Sequence, residues 1–137
     1  NAAVTNCDLS IRQNSSTILI NGTHDLINGH TVSREINIAG SEISVYDRVS
    51  NLANSDTIIQ RFILSPEMDI SILGNTVSII CTKHGIDITL TGPPMSKINK
   101  INHGFYSDKL KQVDQSLNGF EIHSEGKLTE PISISIK

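Results

Sequence analysis

β-Branched and polar residues alternate along most of the chain at a spacing of two. Over 31–38 the residues Val32, Arg34, Ile36 and Ile38 share one parity, and over 42–47 Ile43 and Val45 do the same. Over 85–91 Ile86, Ile88 and Leu90 stand opposite Asp87 and Thr89, and over 131–137 Ile132, Ile134 and Ile136 stand opposite Ser133 and Ser135. Successive side chains of a strand leave on opposite faces, so this period predicts half-buried strands. Further strands are predicted over 17–20, 56–64, 69–73, 76–82 and 119–123. The breaks fall on turn residues: Gly40-Ser41, Pro66, Gly74-Asn75, Lys83-His84-Gly85 and Gly92-Pro93-Pro94. Pro66 has no backbone N–H to give a ladder, and Gly74-Asn75 between two strands predicts a tight hairpin. Roughly nine short strands with no sustained helical period predict an all-β fold, an antiparallel β-sandwich whose sheets each have one buried and one wet face. The stretch 97–113 lacks clear alternation and is expected to be a long loop with at most one irregular strand.

Composition narrows the kind of core. The chain has 137 residues, enough for one hydrophobic core, so 1–137 is expected to be a single β-sandwich domain. It carries 22 Ile and no Trp, and 3 Phe with 2 Tyr make only five aromatics, so the core must be aliphatic. The 11 basic and 14 acidic residues leave a net charge of −3, which argues against a nucleic-acid surface. No apolar run approaches the 18 or so residues of a membrane helix, so no membrane span is expected. The first residues, Asn1-Ala2-Ala3, include no initiator Met, and the domain is expected to be excised from a larger multidomain protein.

Cys7 and Cys81 are the two cysteines. Cys81 shares the parity of Val77 and Ile79 and is read as a small core hydrophobe; a disulfide between the pair would need an oxidising compartment. With no CxxC or HxxxH spacing, neither a metal nor another cofactor is expected. Asn14-Ser15-Ser16 and Asn21-Gly22-Thr23 match the short N-glycosylation pattern, which chance supplies readily in a chain with 12 Asn and 17 Ser.

Two clusters carry candidate chemistry. His24, Asp25, His30 and Arg34 flank Asn21-Gly22 and Asn28-Gly29, which read as hairpin punctuation. If 30–34 is extended, His30 and Arg34 share a face that could hold an anion. His103 and Tyr106 lie with Phe105 inside 97–113, flanked by Lys97, Lys100, Lys109 and Lys111, which could hold an acidic sugar. These two are the candidate substrate-binding residues. No catalytic residue is assigned: a serine-hydrolase elbow and a phosphate-cradling glycine loop are both missing from the sequence. The scarcity of aromatic platforms weighs against a free-standing glycan-binding or adhesion module, which remains the alternative.

Over residues 18–66 the order of features resembles the C-terminal β-sandwich of heparinase II/III-like polysaccharide lyases. The features are His24-Asp25, taken as a turn; the strand running from His30 through Arg34 to Ile38; Ile43-Ser44-Val45-Tyr46-Asp47-Arg48-Val49; and Phe62-Ile63-Leu64-Ser65-Pro66. His103-Gly104-Phe105-Tyr106-Ser107 matches an aromatic segment that such proteins often carry. The resemblance implies a parent enzyme that cleaves acidic polysaccharide by β-elimination. Its reacting Tyr, His and Arg would lie upstream, on a helical domain and the first part of the sandwich. Where the family has a His-Asp-Gly-Tyr turn this chain has His24-Asp25-Leu26-Ile27, so no catalytic residue carries over. The implied partners are the upstream catalytic domain of the same parent chain and an acidic polysaccharide, and the implied location is periplasmic or secreted.

Overall fold

The computed structural model describes residues 4–101, 105–107, 112–114, 118–126 and 130–137. The chain first runs as a meander of four antiparallel strands, β1 (Val4–Gln13), β2 (Thr17–Leu26), β3 (Thr31–Ala39) and β4 (Glu42–Val49). It then crosses to a second sheet as β5 (Thr57–Leu64) and returns as the meander β6 (Asp69–Leu73), β7 (Thr76–Cys81) and β8 (Ile86–Thr91). β9 (Lys97–Lys100) and β12 (Asn118–Glu125) join β5, while β10 (Phe105–Ser107) and β11 (Gln112–Asp114) pair with each other. Last, β13 (Ile132–Ile136) enters the first sheet between β4 and β8.

The result is an all-β antiparallel sandwich. Its larger sheet has eight strands in the order β1-β2-β3-β4-β13-β8-β7-β6, and its smaller sheet has the order β5-β12-β9. The nine strands expected from the alternation are all present, and β1, β9, β10 and β11 add to them. β1 has the same period, with Cys7, Leu9 and Ile11 alternating with Asp8, Ser10 and Arg12, but its flanking polar residues hide it. β2 runs on through Asn21-Gly22, so that pair is strand and not turn, and His24-Asp25 lie within β2 as well. The ladder to β1 on one side and β3 on the other overrides local turn propensity, with Gly22 opposite both Leu9 and Arg34.

Two hairpins are made by the chemistry their sequence announces. Gly40 (φ 63°) precedes Ser41 between β3 and β4, and Gly74 (φ 61°) precedes Asn75 between β6 and β7. A positive φ at the first of two central residues suits the right-handed twist of a two-residue hairpin and is open to glycine without a Cβ clash.

Register turns the alternation into continuous apolar rows. Ile18, Ile38, Ile43, Ile134, Leu90, Val77 and Ile72 lie opposite one another in turn across seven strands, and Gln13 of β1 ends the row. A second row joins Ile11, Ile20, Ile36, Val45 and Ile132. The smaller sheet answers with Phe62 beside Phe120 and with Ile122 beside Ile98. The two Phe rings stack with centroids 5.1 Å apart. Val45, Val77, Ile79, Leu90, Ile98, Phe120, Ile122 and Ile132 form the buried core, drawn from both sheets. Gly119 leaves β12 room to lie against β5, since a Cβ there would stand 2.1 Å from the Phe62 carbonyl oxygen.

The core makes a direct prediction about β13. Ile132 is fully buried while Ile136, on the same face, is 39% exposed. Ile132→Ala should lower unfolding free energy by about 2–5 kcal/mol through lost burial and a residual cavity. Ile136→Ala should cost less than about half of that, measured as the shift in the urea unfolding midpoint.

Candidate functional site

The two sheets differ in width, and the difference creates the most developed site among the described residues. The smaller sheet ends at β5, whose far edge has no backbone partner among the described residues, while the larger sheet continues beyond it to β1. Leu9 and Ile11 share the inner face of β1, Ile11 at the end of the apolar row of Ile20 and Leu9 opposite Gly22 in the row of Arg34 and Asp47, yet they are 70% and 63% exposed because nothing described lies over them. Between this shelf and β5 runs a groove of about 560 Å³. Cys7, His24, Val32, Arg34 and Asp47 line its floor, and Ile58, Gln60 and Arg61 line its wall.

A polar triad holds the base of the groove. Asp47 lies directly opposite Arg34 on adjacent strands, where facing side chains reach one another. Arg34 donates from Nε to Oδ1 and from Nη2 to Oδ2, both at 2.7 Å. Gln60, from the smaller sheet, donates Nε2 to the same Oδ2 at 2.8 Å, so the carboxylate ties the two sheets together. Hydrogen bonding to Asp47, and then the charge of its carboxylate, holds the Arg34 guanidinium above its ordinary pKa against the opposing effect of burial. Gln60 is 4% exposed, and its Oε1 is buried without a hydrogen-bond partner among the described residues. Chemically, the base is a neutralised ion pair with one spare acceptor, and it is built for holding structure in place.

The structure divides the first candidate cluster. His24 and Arg34 both line the groove. Asp25 belongs to the opposite face of β2, where Oδ1 accepts from Thr31 Oγ1 at 2.8 Å and Oδ2 accepts from Asn6 Nδ2 at 3.3 Å. Those two bonds, that from Thr31 foremost, hold the Asp25 carboxyl below its usual pKa. His30 precedes β3 and lies 2.6 Å, through Nδ1, from the carbonyl oxygen of Ser50. A carbonyl can only accept, so Nδ1 carries the hydrogen, and His30 pins the β4–β5 loop instead of joining Arg34 around an anion.

Of the second cluster, His103, Lys109 and Lys111 lie outside the described residues. Tyr106 is on β10, opposite Val113 of β11. Lys97 and Lys100 are exposed on β9, opposite His123 and Phe120 of β12 respectively, and so lie on opposite faces of the smaller sheet. The segment read as a loop with at most one irregular strand thus contains β9, β10 and the start of β11, and its two described lysines do not share a face. The remaining described aromatic side chain, Tyr46, has the Arg48 guanidinium 4.6 Å from its ring centre. Cys7 and Cys81 are both free thiols, the first exposed and the second buried.

The outer face of the smaller sheet carries a separate charged cluster. Arg61 lies opposite Glu121, to which it donates at 2.9 Å from Nε, and His123 Nε2 lies 2.9 Å from the other carboxylate oxygen. The hydrogen bond to His123, then that to Arg61, holds the Glu121 carboxyl below its usual value.

No protein-family model matches the chain, and neither a curated protein nor a solved structure matches it. The functional reading therefore rests on the residues themselves.

Two outcomes follow for the charged groups. Asp47→Ala should cost about 2–3 kcal/mol, because it strands the Gln60 amide and removes both Arg34 bonds, with solvent screening the 43% exposed Arg34 side. Gln60→Leu removes a group whose oxygen has no partner among the described residues and should cost under about 1 kcal/mol; urea titration of both variants tests the contrast. For Glu121, the lowered folded pKa means that its stabilisation is fully present above the unfolded value near 4.5 and is lost as pH falls through the folded value. Glu121→Gln should flatten the fall of thermal midpoint between pH 6 and pH 3, measured by circular dichroism.

Proposed function

We propose that this chain is the C-terminal β-sandwich of a heparinase II/III-like polysaccharide lyase, without catalytic activity by itself. It supports the catalytic domain upstream in the same parent chain and lends one wall to the glycan cleft. The observation that carries the reading is the exposed shelf: Leu9 and Ile11 carry the inner face of the larger sheet into solvent, beside an edge of β5 that has no backbone partner among the described residues. An apolar strip continuous with a core, bounded by an open strand edge, is suited to being covered by another part of a protein. The order of sequence features over residues 18–66, apart from the His24-Asp25 turn that β2 replaces, supports this kind of parent.

β-Elimination on an acidic polysaccharide needs three things: neutralisation of the uronate carboxylate, removal of the C5 proton, and protonation of the leaving oxygen. Arg34 is the basic group at the base of the groove, and its charge is already matched by Asp47 at 2.7 Å. The chemistry therefore belongs to upstream residues, and the contribution of this domain is to hold them. His103 and Tyr106 are the residues proposed to contact glycan.

The isolated chain should release no unsaturated product from heparan sulfate or alginate, followed as ultraviolet absorbance; measurable turnover would overturn the supporting role. In the parent protein, the double substitution Leu9→Glu and Ile11→Glu should lower lyase activity at least about tenfold. It should leave the stability of the isolated chain within about 0.5 kcal/mol, since both residues are exposed there. Unchanged activity of that variant would count against the shelf as the supporting surface.

A further inference from the structure

At the loop end where β5 turns into β6, a second cluster has metal-ligating chemistry that the proposed function does not use. Glu67 lies in the β5–β6 loop, Cys81 ends β7, and His84 ends the 3-10 turn Thr82–His84. One donor atom from each of the three lies within 4.8 Å of the other two. His84 Nε2 and Glu67 Oε2 are 3.2 Å apart, close to the separation of about 3.3 Å between two ligands each about 2.0 Å from a tetrahedral zinc ion. Cys81 is 1% exposed, whereas Glu67 and His84 are exposed, so the thiol forms the floor and the two exposed side chains lie over it.

The backbones that carry these ligands are held in place. Asn118 donates from Nδ2 to the carbonyls of Ser65 and Met68, at 2.9 and 2.8 Å, and the Met68 amide donates to the Ser65 carbonyl at 3.0 Å. These bonds fix the loop that presents Glu67. The 3-10 turn sets Cys81 and His84 three residues apart and is closed by Gly85 in the left-handed region, φ 63°. Supporting bonds of this kind orient ligands before a metal arrives. The Cys-x-x-His spacing is local, but the third ligand comes from another loop, so only the fold assembles the set.

We propose that Glu67, Cys81 and His84 form a zinc-binding site with a fourth position open to water. Thiolate and imidazole favour zinc over calcium or magnesium. One thiolate and one carboxylate balance the charge of a divalent ion. Lys83 Nζ, 2.7 Å from Glu67 Oε1, steadies the carboxylate while its Oε2 faces His84. Binding displaces the thiol proton of Cys81, so the site weakens as pH falls. The ion would join the β5–β6 loop to the end of β7, stabilising the edge of the sandwich remote from the groove.

The test uses the metal-free chain carrying Cys7→Ser, because Cys7 is an exposed thiol able to bind metal by itself. Cobalt titration should give a thiolate-to-cobalt charge-transfer band saturating at one equivalent, and zinc should displace the cobalt. Zinc at about a hundred times its dissociation constant should raise the thermal midpoint by roughly 5–10 °C. His84→Ala and Glu67→Gln alter exposed side chains and should each weaken binding at least about tenfold; Cys81→Ala should abolish the band. Failure to form the band in the Cys7→Ser protein would overturn the site. So would a band that survives Cys81→Ala, or affinity unchanged by both His84→Ala and Glu67→Gln.

Discussion

Eight strands form one sheet because the last strand in the chain is inserted between β4 and β8. The meanders on either side, β1–β4 and β6–β8, are each closed by short local connections. Only β13 makes them continuous, through Ile132 opposite Val45 and through Ile134 opposite both Ile43 and Leu90. A strand paired on both sides satisfies its backbone groups only in a definite register. Here a slip of one residue would turn Ile132 and Ile134 outward and bring Ser133 and Ser135 into an aliphatic core. The rest of the sandwich depends on that constraint, since the smaller sheet packs on the face that β13 completes.

The unequal widths of the two sheets account for the groove. Where β12 and β9 back the larger sheet, the buried cluster is aliphatic apart from Phe120. At the margin, where cover gives out beyond β5, the inner rows change to Arg34, Asp47 and Gln60. An ion pair there keeps one partner buried and the other in reach of solvent, which lessens the desolvation cost of a fully enclosed pair. The same margin leaves Leu9 and Ile11 bare. The supporting role proposed for the domain and the polar character of the groove therefore have one geometric cause.

Much of this was legible beforehand. All nine strands read from alternation are present, the hairpin at Gly74 and the break at Gly40 fall where expected, and Cys81 points inward as its parity with Val77 and Ile79 requires. Local punctuation misled at Asn21-Gly22, where two neighbouring ladders keep the backbone extended, and β1 and β9 were hidden by short or polar sequence. The candidate sites were less legible. His30 and Arg34 share a stretch of sequence but have different partners, Ser50 and Asp47. The triad needed Gln60 from the other sheet, and the Cys81-His84 pair needed Glu67 from a loop fourteen residues before Cys81. Pair spacing along the chain does not encode either meeting.

By itself the sequence determined the class of structure and the composition of its interior, because period-two alternation of Ile and Val can be satisfied only by half-buried strands and an aliphatic core. The tertiary structure alone decided which strands are neighbours, how far one sheet overhangs the other, and which polar side chains meet. Those outcomes depend on contacts between residues far apart in the chain, whose register is settled by packing across the sandwich and not by any local preference.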